Sequence, residues 1–146
     1  MSPTELEASL GQLTVLSGVR RALLVRSDGL LIAQHAAAYN VRYSAQHSAQ
    51  DAAEEEFRGA LIRAAAMTAT ALSLNKRIVG ALGGGTLTET SIRGSHGEVL
   101  LYAAGSRAVL ALITERDADA ALIAPRVKEV LEAVTSALSG ANAAPD

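Results

Sequence analysis

A chain of 146 residues suits one domain with one sizeable core, and with 49 % hydrophobic residues but one Phe, three Tyr and no Trp that core is aliphatic and closely packed. Thirteen Lys and Arg against 15 Asp and Glu leave a net charge near −2, which supplies no field for gathering nucleic acid or anionic lipid. The absence of cysteine excludes disulfides, thiolate metal sites and cysteine nucleophiles.

The first residues, MSPTELEASLGQL, carry two Glu and no basic stretch. No apolar run reaches the roughly 18 residues of a membrane span, so a cytoplasmic protein without membrane insertion is expected. Thr4 with Glu7 three residues on reads as a capping box, and Leu6, Leu10 and Leu13 share one helical face. These predict a helix over about residues 5–16, stopped at Ser17-Gly18. From Gly18 to His35 (GVRRALLVRSDGLLIAQH) two apolar runs are joined by Arg26-Ser27-Asp28-Gly29, and an Asp-Gly pair in that position is a hairpin signal because Gly takes positive φ at little cost. Leu30, Leu31 and Ile32 run on almost without a polar break, so at least one arm is covered on both faces. A lone hairpin is not stable in water, and the rest of the chain must cover it.

Residues 36–50 (AAAYNVRYSAQHSAQ) have no sustained period and read as a long connection, functional or mobile. Asp51 with Glu54 is a second capping signal, reinforced by Glu55 and Glu56 where a helix N-terminus carries partial positive charge. The stripe that follows runs through Phe57, Leu61, Ala64, Met67 or Thr68, Ala71 and Leu72 toward Ile78 and Leu82, and Gly83-Gly84-Gly85 ends it. Residues 64–71 are small on every face, which suits either close core packing or a self-association face.

Three strands are predicted next, over residues 86–93, 98–103 and 108–114, joined by Gly94-Ser95-His96-Gly97 and Ala104-Gly105-Ser106-Arg107 as an antiparallel meander. The first, TLTETSIR, is Thr-rich and polar, the composition of an exposed edge that a second chain can extend. A last helix over about residues 117–138 carries Leu122, Val127, Val130, Leu131, Val134 and Leu138, with a kink or break expected at Pro125. Residues 139–146 read as a flexible tail. The order is α-β-β-α-β-β-β-α in a single domain over 1–146 with a core of about 5–138.

Motifs of chemistry are sparse. Gly83-Gly84-Gly85-Thr86 follows a helix and precedes a strand, the reverse of a phosphate-cradling loop, and brings no Lys. His35, His47 and His96 stand in three separate segments without a carboxylate at ligand spacing, so neither a metal nor a cofactor is expected. Arg20 and Arg21 cannot both point into the core from one strand; they snorkel or pair with carboxylates, or one serves as an arginine finger supplied in trans to a GTPase.

Leu16-Ser17-Gly18-Val19, then ALLVRSDGLLIA, the long Ala-rich helix closing on Gly83-Gly84-Gly85-Thr86-Leu87, the three-strand meander and the closing helix together resemble the Roadblock family. Its members include dynein light chains of the roadblock type and bacterial regulators such as the mutual gliding protein B. The resemblance implies an α+β sandwich of two to three layers: a five-stranded antiparallel sheet with the second helix on one face and the terminal helices on the other. It implies a homodimer that pairs the strand of residues 86–93 and the second helices, through Ala64, Ala65, Thr68, Ala71, Thr86, Thr88 and Thr90. It also implies a non-enzymatic scaffold or regulator of a small Ras-like GTPase, met through Arg58, Arg63, Glu54, Glu55 and Tyr43. The alternatives are a small-molecule-sensing or general protein-interaction module, with the small-molecule pocket between the sheet and residues 36–50, and, more weakly, a stand-alone enzyme.

Overall fold

Ser2 starts the first helix. In the computed structural model, which describes residues 2–37 and 48–143 and the side chains among them except those of 48–54 and 140–143, α1 spans Pro3–Thr14. The Ser2 hydroxyl accepts from the Glu5 amide at 3.2 Å and the Glu5 carboxylate accepts from the Ser2 N–H at 3.3 Å. The capping box is therefore Ser2/Glu5 and not Thr4/Glu7, because Pro3 is preset for the first helical position and lacks only an N–H that the helix would not use. Leu6, Leu10 and Leu13 are buried as their spacing requires.

Strands β1 (Val19–Arg26) and β2 (Leu31–Ala36) form the hairpin. Gly29 closes it at φ +98°, its amide donating to the Arg26 carbonyl at 2.8 Å. Helix α2 runs over Ser48–Ala81, starting ahead of Asp51; positions 38–47 of the expected long connection lie outside the described residues. Its end is a Schellman motif. The Gly84 amide donates to the Val79 carbonyl at 2.8 Å and the Gly83 amide to the Gly80 carbonyl at 3.2 Å, with Gly83 at φ +76°.

Strand β3 covers Thr90–Arg93, not all of residues 86–93. Gly85, at φ +80°, is still turning the chain, and Glu89 sends its side chain to the Tyr102 hydroxyl where the ladder would need backbone pairing. Strands β4 (Glu98–Ala104) and β5 (Ala108–Thr114) complete the meander. Helix α3 is continuous over Ala120–Ala143, so Pro125 does not divide it. The bond Pro125 gives up is to the carbonyl of Ala121, an exposed residue in the first turn where water can take the donor's place. The helix also runs past Leu138 into the expected tail, since Ser139-Gly140-Ala141-Asn142-Ala143 holds no residue that forbids it and Pro145 is the next strong stop. Residues 144–146 lie outside the described residues.

The sheet is five-stranded and antiparallel in the order β2-β1-β5-β4-β3. Alternation along each strand feeds two cores. Ala22, Leu24, Leu100, Leu110 and Leu112 face α1 and α3, meeting Leu10, Leu13, Val127 and Val130. Leu23, Val25, Leu101, Val109 and Ala111 face α2, meeting Leu61, Ala65, Ala69 and Leu72. Each fully buried leucine contributes about 1.5–3 kcal/mol. The three-layer arrangement of the resemblance is thus the observed one: α2 alone on one face, α1 and α3 on the other. Among the described residues no helix is long and apolar enough to cross a membrane.

Candidate functional site

Helix α2 has more apolar surface than the sheet can cover. Leu61, Ala65, Ala69 and Leu72 turn inward, and Ala64, Thr68 and Ala71 are half-buried on the shoulder. Ala65 is fully buried, so its side chain is core in a single chain and is not available to a second one. In the next row outward, Met67, Leu74, Ile78 and Leu82 recur at helical spacing and stay exposed, Leu82 at 82 %. The Asn75 amide donates to Thr90 Oγ1 at 3.2 Å, which identifies the flank of α2 turned toward β3.

Beside that flank, β3 is the last strand of the sheet, with β4 on one side and nothing described on the other. Ile92 pairs with Val99, a residue of the α2-side core, so it stands on the same face as α2 and is half exposed. Thr86 and Thr88 are exposed ahead of the strand, and Leu87 between them packs back against the α2-side core. The Tyr102 hydroxyl donates to Glu89 at 2.6 Å, and burial together with that carboxylate pushes the phenol above its usual range. This bond fixes the chain just before the edge begins.

Of the five expected partner-binding residues, Arg58, Arg63 and Glu55 are described and exposed, and Arg58 pairs with Glu55 at 3.3 Å. Tyr43 and the side chain of Glu54 lie outside the described residues, as does His47. Arg21 is the site residue that sequence reading left undivided from Arg20. It is buried on the α2 side of the sheet, donates to Gln34 Oε1 at 2.8 Å and lies 4.7 Å from the centroid of the Phe57 ring. Phe57, expected in the core stripe, is half out of it as the lid on that guanidinium. A covered Arg21 cannot reach out as an arginine finger; Arg20, at the register shift between Val19 and Arg21, is exposed and donates to the His96 carbonyl at 3.2 Å. His35 shares a 2.8 Å hydrogen bond with the Thr14 hydroxyl, and His96 a 3.0 Å one with Ser95. Among the described residues no three His, Asp or Glu gather as metal ligands.

Residues 57–114, from that lid to the end of β5, match the family model of the Roadblock/LC7 domain. This is a Roadblock/LC7 fold. The chain is similar to Myxococcus xanthus MglB (18 % identity, 94 % of this chain and 90 % of that one covered, TM-score 0.71). It is similar as well to the Roadblock/LC7 domain from Streptomyces avermitilis (20 %, 92 % and 96 %, 0.70) and to the gliding protein MglB from Thermus thermophilus (19 %, 93 % and 90 %, 0.69). No curated protein matches the chain. The resemblance read from the sequence and the fold it implied therefore hold, and the family supports a regulatory or interaction module.

What this Roadblock/LC7 fold presents on its α2 side, among the described residues, is a strand edge with no strand beyond it, an exposed apolar row on α2 and, toward the start of α2, an exposed ion pair. The glycines at 83–85 terminate a helix, at the end whose dipole repels anions, and so do not form a phosphate cradle. The small-molecule alternative placed its pocket beside residues 36–50, most of which lie outside the described residues.

Proposed function

We propose that the protein is a non-enzymatic, cytoplasmic homodimeric module of one domain that binds and modulates a small Ras-like GTPase. The observation that carries the dimer is the β3 edge, beyond which the described residues place no strand, together with the exposed row Met67, Leu74 and Ile78 on α2 and Ile92 on the α2 face of that strand. Antiparallel pairing of β3 with its copy about a two-fold axis satisfies the edge backbone and lays the two α2 helices side by side, burying both rows at once. Thr86, Thr88 and Thr90 then line the seam, with Ala64, Thr68 and Ala71 on the shoulder above it.

The GTPase half of the proposal is supported by the Roadblock/LC7 match and by the likeness to MglB. The paired α2 helices make a surface that exists only in the dimer, rimmed by Arg58, Arg63 and Glu55. Mixed charge of this kind suits a transient contact. Any effect on hydrolysis comes from positioning the GTPase's own residues.

Light scattering at micromolar concentration tests the dimer. The unmodified chain is expected at twice its monomer mass, and Met67→Asp with Ile78→Asp at the monomer mass with an unchanged circular dichroism spectrum. A monomeric unmodified chain overturns the reading. Co-purification from the native cell tests the second half: a protein with a GxxxxGK[ST] loop is expected, and its absence removes the GTPase while leaving the dimer standing.

A further inference from the structure

The end of the domain away from the β3–β4 turn carries a second, differently built surface. The β1–β2 turn at Ser27-Asp28 stands between two grooves and lines both. One, of about 560 Å³, opens on the α3 side between Arg26, Ile32, Arg107 and Leu138. The other, of about 420 Å³, opens on the α2 side over Ala66 and Ala69, with Ser73 and Arg77 on its wall.

The ridge between them is braced. Ser27 donates its amide to the Arg107 carbonyl at 2.8 Å and its hydroxyl to the Ser106 carbonyl at 2.9 Å, which ties the β1–β2 turn to the β4–β5 turn. Behind it a Cβ added at Gly29 would lie 3.1 Å from Ala66 Cα, so the turn rests directly on the α2 backbone. A surface fixed in this way loses little conformational freedom when something binds to it.

Its charge runs against that of the whole molecule. Among the described residues the two grooves hold three arginines and one aspartate, in a chain of net charge −2. The aspartate is already engaged: Asp28 is ion-paired with Arg26, whose hydrogen bond holds its carboxyl below the usual carboxylate range. Arg77 and Arg107 are exposed, and among the described residues neither pairs with a carboxylate.

We propose that this end is a docking surface for an acidic, extended segment of a partner protein. The segment crosses the Ser27–Asp28 ridge and seats carboxylates on Arg107 in one groove and Arg77 in the other. Two cationic sites on opposite sides of a rigid ridge favour an extended chain, because one small anion sits in one groove and meets one of them. Ile32 and Leu138 give the α3-side groove an apolar floor for an aliphatic side chain between the acidic ones. The surface involves none of Arg58, Arg63 or the β3 edge and shares with the exposed α2 row only Leu74 on the wall of the α2-side groove, so it stands whether or not the proposed GTPase contact does.

The test is fluorescence anisotropy at low salt with a fluorescein-labelled peptide of repeated Glu-Gly-Glu-Leu, backed by amide chemical-shift mapping on the unmodified protein. Expected are shifts centred on Ser27, Ser73, Arg77, Ser106 and Arg107. Arg77→Glu with Arg107→Glu should weaken binding about tenfold or more, and Arg126→Glu, on α3 and outside both grooves, should leave it unchanged. If the charge reversals disturb the fold by circular dichroism, Arg77→Gln with Arg107→Gln replaces them, with about a threefold loss expected. Unchanged affinity in the double variant, shifts centred elsewhere, or equal binding of the Lys counterpart overturns the proposal. So does displacement of the peptide by equimolar inorganic phosphate, which assigns a small-anion site, or binding to phosphatidylserine vesicles without binding to peptide, which assigns a membrane.

Discussion

Tyr102 and Arg21 put polar atoms into opposite faces of an otherwise aliphatic sheet, and each is tolerated because its partner is fixed. For Tyr102 the sign of the pH effect follows from the raised phenol pKa. The folded state holds its proton more tightly than the unfolded one, so this contribution is fully present below the ordinary phenol value of 10.0 and is lost as pH rises beyond it. The loss is at most about 1.4 kcal/mol per pH unit, and urea unfolding of Tyr102→Phe should show a flatter decline over the same alkaline range. Arg21 is fastened by Gln34 and covered by Phe57. Arg21→Ala should cost about 2 kcal/mol in chemical denaturation, by leaving the Gln34 amide without its donor and Phe57 without its support. Arg20→Ala, at an exposed position one residue earlier, should cost less.

Among the elements, the β1–β2 hairpin is under the tightest local control. Gly29 takes a positive φ and has no room for a Cβ against Ala66, so Gly29→Ala combines backbone strain with a clash. A loss of about 2 kcal/mol is expected, read as a lower urea midpoint with an unchanged slope. That turn was legible because Asp-Gly between apolar runs is a local signal, and so were the Leu6, Leu10 and Leu13 face and the glycine stop after α2. What was not legible depended on partners distant in sequence. The start of β3 at Thr90 goes with Glu89 reaching across to Tyr102, and the placement of Ala65 in the core rather than on a seam goes with the sheet residues Leu23, Val25, Leu101 and Val109 that share its cluster. Smallness at residues 64–71 says that something comes close; it does not say from which side. The same limit left Arg20 and Arg21 undivided, since the strand is irregular between Val19 and Arg21 and only the cover supplied by Phe57 says which arginine is enclosed.

At the scale of the whole molecule, the three layers make the two broad faces unequal. The α1 and α3 face is closed by two helices of the same chain, whereas the α2 face carries one helix with an exposed row and an unpaired edge at its side. Closing a two-fold axis through β3 brings the α2 faces of both chains onto one continuous surface and leaves each pair of terminal helices on the opposite one. A partner that recognises the dimer as a dimer has to read the first surface. Arg58 and Arg63 lie there, Arg58 in a 3.3 Å pair with Glu55; Arg126, in a 3.6 Å pair with Glu129, lies on α3 and serves as the matched control, since both pairs are exposed and span three residues of a helix. Surface pairs of this kind contribute well under 1 kcal/mol to stability, so reversing either arginine should leave the fold intact and report on binding alone. Arg58→Glu with Arg63→Glu is expected to weaken binding of a co-purifying GTPase about tenfold by titration calorimetry, with Arg126→Glu without effect. The opposite pattern, binding kept in the first variant and lost in the second, would place the partner on the terminal helices and make the α2 face a seam between copies and nothing more.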